Sequence, residues 1–301
     1  MHSYPVSLAL VALFVPLMGL VACGGASSTA ASPGAQASDK YPIVLHRDLE
    51  PGKSYRLQVK EESTEHSVTS IAGKVVDEKN TTTLFSFVGS EKTLSAGRDQ
   101  PGEYVVEELT QTANGAQAAL LPAGAKISAN PVGKQWQYTV EGKPVSEQAT
   151  KALEALLGST VGGSDDDEVI FGSKLPRAIG ESWPVDVHHL PTDENIVYNP
   201  EGASGSTRLV GLRKLDGVDY LEIQGELSVP SVVLKGLPEG AKLVSGGVSG
   251  HFVGMVPADA KVPSSSLAFT IDVKLKMEAP SPRGPVTVDM TVHKDHSQKR
   301  N

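Results

Sequence analysis

The chain has 301 residues, 39% of them hydrophobic and 21% charged, a balance that excludes both a fully disordered chain and a polytopic membrane protein. Its 35 acidic residues against 27 basic ones leave a formal charge of −8, which argues against a general nucleic-acid binder because phosphate neutralisation needs a basic face. The single cysteine excludes an internal disulfide framework and any multi-cysteine zinc site.

The first element in chain order is an apolar run over residues 6–22, with no charged side chain anywhere in residues 1–22. Its length and apolarity suit a signal-peptide core, while Pro16 and Gly19 count against a stable spanning helix. The run ends in Leu20-Val21-Ala22-Cys23, which contains the chain's one thiol. This tetrapeptide resembles the lipobox of bacterial lipoproteins. The resemblance implies that a diacylglyceryl group is attached to the Cys23 sulfur, that residues 1–22 are removed, and that acylated Cys23 is the mature N-terminus. Met1–Pro5 departs from the usual export signal in having no Lys or Arg.

Residues 24–40 follow with Gly, Ala, Ser, Thr and Pro but no large apolar side chain, so residues 23–40 read as a lipidated cysteine and a flexible tether. Such a tether has a root-mean-square reach of about 20–25 Å. Two or more acyl chains hold a protein stably on a bilayer where one does not. The resemblance therefore implies a membrane partner through the lipid anchor and a place in the bacterial cell envelope. Gly24 after the cysteine is similar to the default outer-membrane sorting residue.

Residues 41–301 read as a single β-rich domain, dominated by alternation with a period of two. Strands are predicted at 54–68, 80–94, 102–113 and 134–140, with a turn at Ala113-Asn114-Gly115. One helix is predicted near 146–157: Ser146 can cap it, Ala149, Ala152, Leu153 and Leu156 recur at helical spacing, and Gly158 can end it. The polar stretch 159–168 is a loop and a candidate subdomain break. Leu175 to Trp183, with Gly180-Glu181-Ser182-Trp183 at its end, resembles a segment of β-rich bacterial lipoproteins, in which glycine makes a tight turn and tryptophan anchors the next strand. A hairpin follows over 206–229 through Asp216-Gly217. A longer one joins 267–277 to 286–293 across a Pro- and Gly-rich turn. The predicted class is mainly β (α+β): a curved antiparallel sheet, either half-barrel or sandwich, with one helix.

Signatures of chemistry are missing. Gly-x-Ser-x-Gly, the phosphate-binding Gly-x-x-x-x-Gly-Lys-Ser/Thr, Gly-x-Gly-x-x-Gly and His-Glu-x-x-His do not occur. Asp186-Val187-His188-His189 is predicted as a strand, which would put Asp186 and His188 on one face, but two ligands do not make a metal site; a remote histidine such as His251 or His293 would have to supply a third. The Asp165–Glu168 run lacks calcium-loop spacing and reads as solvated chain. No catalytic residue, metal ligand or cofactor is nominated. Two readings stay open: a non-catalytic binding or structural protein with an envelope protein as partner, and a carrier of lipid or another apolar ligand. An envelope enzyme is a third option with no residue to support it. The face that decides between the first two is formed by Phe269, Ile271, Val273, Val288 and Met290.

Overall fold

A computed structural model describes residues 39–45, 50–95, 100–133, 135–158, 168–190, 196–259, 262 and 265–301. The apolar run, Cys23, nearly all of the tether and most of the 159–168 loop lie outside the described residues.

The strands, in chain order, are β1 (Lys40–Ile43), β2 (Ser54–Ile71), β3 (Lys74–Thr93), β4 (Gly102–Ala113), β5 (Ala116–Leu121), β6 (Lys126–Val132), β7 (Gln135–Val140), β8 (Lys143–Pro144), β9 (Ser173–Ala178), β10 (Ser182–Pro184), β11 (Ile196–Tyr198), β12 (Ser204–Leu215), β13 (Val218–Val229), β14 (Val232–Leu234), β15 (Lys242–Pro257), β16 (Ser265–Ala279) and β17 (Val286–Arg300). Helix α1 spans Glu147–Leu157, and a single helical turn covers residues 168–171. One antiparallel sheet of 13 strands runs β10-β12-β13-β15-β16-β17-β2-β3-β4-β6-β7-β8, with β5 alongside β4. Its two ends do not meet, so the sheet is open rather than a closed barrel. β1 pairs with β9, and β11 with β14, in two small separate sheets.

Alternation in sequence becomes alternation in burial. Along β2, Tyr55, Leu57, Val59 and Glu61 are buried while Arg56, Gln58, Lys60 and Glu62 are exposed. Directly opposed residues on neighbouring strands point to the same side. The register therefore traces one inward face through Phe252, Phe269, His296, Glu61 and Phe85, from β15 to β3. Two apolar clusters sit on that face. The first joins Leu57, Val59, Phe87, Leu109, Ile127 and Tyr138 to Ala152, Leu153 and Leu156 of α1. The second joins Leu209, Leu221, Ile223, Phe252, Phe269 and Leu275 to Phe171 of the helical turn and Trp183 of β10.

Helix α1 forms for the reasons its sequence gives. The Ser146 hydroxyl accepts from the Ala149 N–H at 3.2 Å, and Gly158, with φ +96°, closes the other end by donating to Glu154 O at 3.0 Å. Tyr138 ties that end to the sheet, its hydroxyl donating to Gly158 O at 2.7 Å. The turn at Gly180 (φ +90°) likewise leads into buried Trp183. The indole N–H of Trp183 donates to Phe171 O at 2.9 Å, and the Arg177 guanidinium lies 5.2 Å from its ring centroid.

One local expectation fails. Asp186–His189 is not a strand: Val187–His189 is a 3-10 turn capped by the Asp186 carboxylate, which accepts from the His188 N–H at 3.3 Å. A short acidic side chain that captures a backbone N–H two residues on favours a turn over a strand. The Asp186 side chain pairs with His189 instead, at 3.0 Å, and that bond holds its carboxyl below the usual aspartate range.

Candidate functional site

The five residues of the predicted apolar face all point inward, from β16 and β17, and share one apolar cluster. Phe269 and Ile271 are buried, whereas Val273, Val288 and Met290 are half-buried and pack against it. Val288 and Met290 lie opposite Met277 and Leu275, further along the strands. Phe269 and Ile271 border a cavity. There Phe269 and Ile271 meet Phe171, Val248, Gly250 and Phe252 around an apolar cleft of about 40 Å³. Ligand pockets for small molecules occupy roughly 300–1,000 Å³. The cleft is small because the face fills itself. Phe171 packs edge-on against Phe252 with centroids 5.0 Å apart, and Phe252 leans over Gly225, where a Cβ would lie 2.0 Å from the ring.

Between the two apolar clusters the inward face turns polar. Glu61 of β2 is 7% exposed, yet accepts from Lys294 Nζ at 3.2 Å and contacts His296 Nδ1 at 3.2 Å. Burial pushes the Glu61 carboxyl up, but the bond to His296 and the Lys294 charge outweigh it and leave it below its ordinary range. The His296 ring stacks on Phe269, with centroids 4.9 Å apart and planes 6° from parallel. Its other nitrogen, Nε2, is buried without a hydrogen-bond partner among the described residues. A second pair lies nearby: Arg300 Nε donates to Glu91 at 2.8 Å, and the Tyr104 hydroxyl approaches the same carboxylate at 3.4 Å. Burial opposes the Arg300 charge, but Glu91 holds the guanidinium above its ordinary value. Burial, reinforced by Glu91, drives the Tyr104 hydroxyl well above its own.

These groups were missed in the sequence, although a signal existed. Val292, Lys294, His296, Gln298 and Arg300 alternate at the parity of an inward face, and polar residues in that position need buried partners.

The opposite, outer face carries a polar groove of about 630 Å³ lined by Ser206, Glu226, Ser249, His251, Thr270 and Asp272 among others; Glu226, Leu227, Gly250, His251 and Thr270 also border the apolar cleft. Beside it, His293 bridges Asp272 at 2.9 Å and Asp295 at 3.0 Å. The Asp272 bond, with help from Asp295, raises the imidazole above the ordinary histidine value despite partial burial. A raised pKa adds stability that is present below the unfolded value and lost as pH rises through the folded one. His293 is half-exposed, so solvent screens most of this effect. The expected result is a His293 NMR titration midpoint above about 6.5, falling in Asp272→Asn. An unmoved midpoint in that variant would contradict the assignment.

Among the described residues no group of three or more His, Cys, Asp or Glu is placed to hold a metal ion. His188, His251 and His293 are not brought together.

No known protein family matches the chain, and no curated protein matches it. Among solved structures it is similar to Pseudomonas aeruginosa OccK2 (OpdF) in complex with glucuronate, at 7% identity and a TM-score of 0.22, over 82% of this chain and 96% of that one. It is also similar to P. aeruginosa OpdQ, at 7% identity and a TM-score of 0.20, over 82% of this chain and 98% of that one. Likeness this remote carries no argument about activity, and the chain is described by its architecture: a mainly-β protein built on one open antiparallel sheet.

Proposed function

We propose that this chain is a lipid-anchored protein of the bacterial envelope, held at the outer membrane through acylated Cys23, that works by binding rather than by catalysis. Leu20-Val21-Ala22-Cys23, placed directly after an apolar run and before a polar tether, carries the anchoring part of this reading. The small cleft beside Phe269 and Ile271 supports a structural or protein-binding role over carriage of a lipid, because about 40 Å³ is far too small for an acyl chain. The carrier reading keeps one point in its favour: the surface of the cleft is almost entirely apolar.

Cys23→Ala is expected to leave residues 1–22 attached and to shift the protein from the membrane fraction to the soluble one. Mass spectrometry of the native N-terminus checks both halves of the claim. A native chain that keeps Met1–Ala22 intact and carries no acyl group rules the anchor out. Solvent extraction of the purified full chain separates the two binding readings, since a stoichiometric acyl species in the extract would favour the carrier.

A further inference from the structure

Unpaired strand edges invite pairing with other chains, and proteins blunt them with short strands, lysine or proline. The peripheral strands here follow that rule. β8 is Lys143-Pro144; β10 has three residues and ends in Pro184; β1 carries Lys40 and Pro42; β9 carries Lys174, Pro176 and Arg177; β11 and β14 have three residues each. β5 does not follow it. Its six residues, Ala116-Gln117-Ala118-Ala119-Leu120-Leu121, hold no charge and no proline, and the uncharged stretch extends from Leu109 to Ala125. It pairs with β4 on one side only among the described residues, and Ala116–Ala119 are exposed.

The hairpin fixes which backbone groups point outward. Asn114 and Gly115 both have positive φ, 48° and 86°, as a two-residue type I′ turn requires. Ala113 and Ala116 flank it as a directly bonded pair, so bonding to β4 alternates from there. The N–H and C=O groups of Gln117 and Ala119 therefore face away from β4.

We propose that β5 pairs antiparallel with β5 of a second copy of this chain, about a two-fold axis normal to the sheet. Such an axis keeps each face on its own side, so opposed residues must have the same parity. The register that satisfies this and uses the outward groups sets Gln117 against the partner's Ala119 and Ala118 against the partner's Ala118. Ala116 then faces the partner's Leu120, a small side chain beside a large one. No like charges meet anywhere along the edge, which is what distinguishes a self-pairing edge from the guarded ones. The two sheets would join into one continuous sheet.

Ala118 would sit opposite its own copy in a non-bonded pair, with Cα atoms about 4.5 Å apart, within disulfide range. Under mild oxidation, full-length Ala118→Cys is expected to give a covalent dimer in at least tenfold higher yield than Ala116→Cys, whose two copies lie several residues apart. Unmodified protein controls for Cys23. Adding Ala119→Lys to Ala118→Cys should bring the yield down to the Ala116→Cys level, with the far-ultraviolet circular dichroism spectrum unchanged. Equal yields for the two cysteine variants, or no dimer from a folded Ala118→Cys chain, overturn the proposal. So does a monomer whose Gln117 and Ala119 amides resist hydrogen exchange, because another segment would then occupy the edge.

Discussion

Phe252→Ala is expected to lower the unfolding free energy by about 3–5 kcal/mol, measured by urea denaturation. Phe252 is 3% exposed, its ring edge-on to Phe171 of the helical turn at 168–171. Removing it takes away the partner of Phe171 and opens the inward face around Gly225. Gly225 supplies the test that the geometry predicts and simple burial does not. A methyl group there would meet the Phe252 ring at 2.0 Å, so Gly225→Ala must displace the ring and should cost about 1–3 kcal/mol. With Phe252 already removed the clash is gone, and Gly225→Ala should become nearly neutral. The coupling between the two substitutions is expected to exceed about 1 kcal/mol. Additive effects would mean that the ring does not lie over Gly225. Ile271→Ala, at 8% exposure beside the same cleft, should cost about 2–5 kcal/mol if the face is a packed core, and less if it lines a ligand cavity.

How much of this was legible in the sequence depended on whether one face of each strand was apolar. The predicted strand at 102–113 coincides with β4, and α1 starts and stops at its predicted caps, because burial and capping both leave residue-level marks. β2 and β3 were read too short. Between residues 63 and 83 every described side chain is at least partly exposed and the few large apolar ones, Val68, Ile71, Val75 and Val76, do not alternate, so the pattern that marks a half-buried strand is lost, although the ladder continues to Ile71 and Lys74. β15 went unread because Gly246, Gly250 and Gly254 stand at inward positions. There the side chains of Leu275, Ile271 and Leu267 from β16 lie where an alternating pattern would have shown side chains of β15 itself. β5 was missed because Ala-Gln-Ala-Ala-Leu-Leu has no period at all. The aliphatic face of β16 and β17 was readable as a face. That Phe269 stacks on His296 while Leu275 faces Met290 depends on register, which no single strand encodes. Glu61 looked like one more polar residue in Lys60-Glu61-Glu62-Ser63-Thr64-Glu65. Its role appears only when His296, 235 positions away, is laid beside it.

That long-range pairing makes Glu61→Ala the second substitution with a large expected effect. β17 is the last strand of the chain, and it lies between β16 and β2, so its insertion joins the two apolar clusters. Glu61 anchors it there by bonding two β17 side chains at once, Lys294 and His296. Removing one member of a buried ion pair leaves the others uncompensated and typically costs 3–5 kcal/mol. Lys294 is 20% exposed and can turn toward water, whereas His296 is 2% exposed and cannot, so a loss of about 3 kcal/mol is expected. Glu61→Gln should cost less, because the amide oxygen still accepts one bond. The pH dependence separates charge from packing. The Glu61 carboxyl is lower in the folded protein than in the unfolded chain, so its contribution is present above the unfolded value of about 4.3 and is lost as pH falls through the folded one. The stability gap between the unmodified protein and Glu61→Gln should therefore be widest near neutral pH and narrow progressively below about pH 4. A gap that stays constant down to acid unfolding would assign the effect of Glu61 to shape alone. A gap that closes on acidification identifies the buried carboxylate as the charge that holds the C-terminal strand against β2.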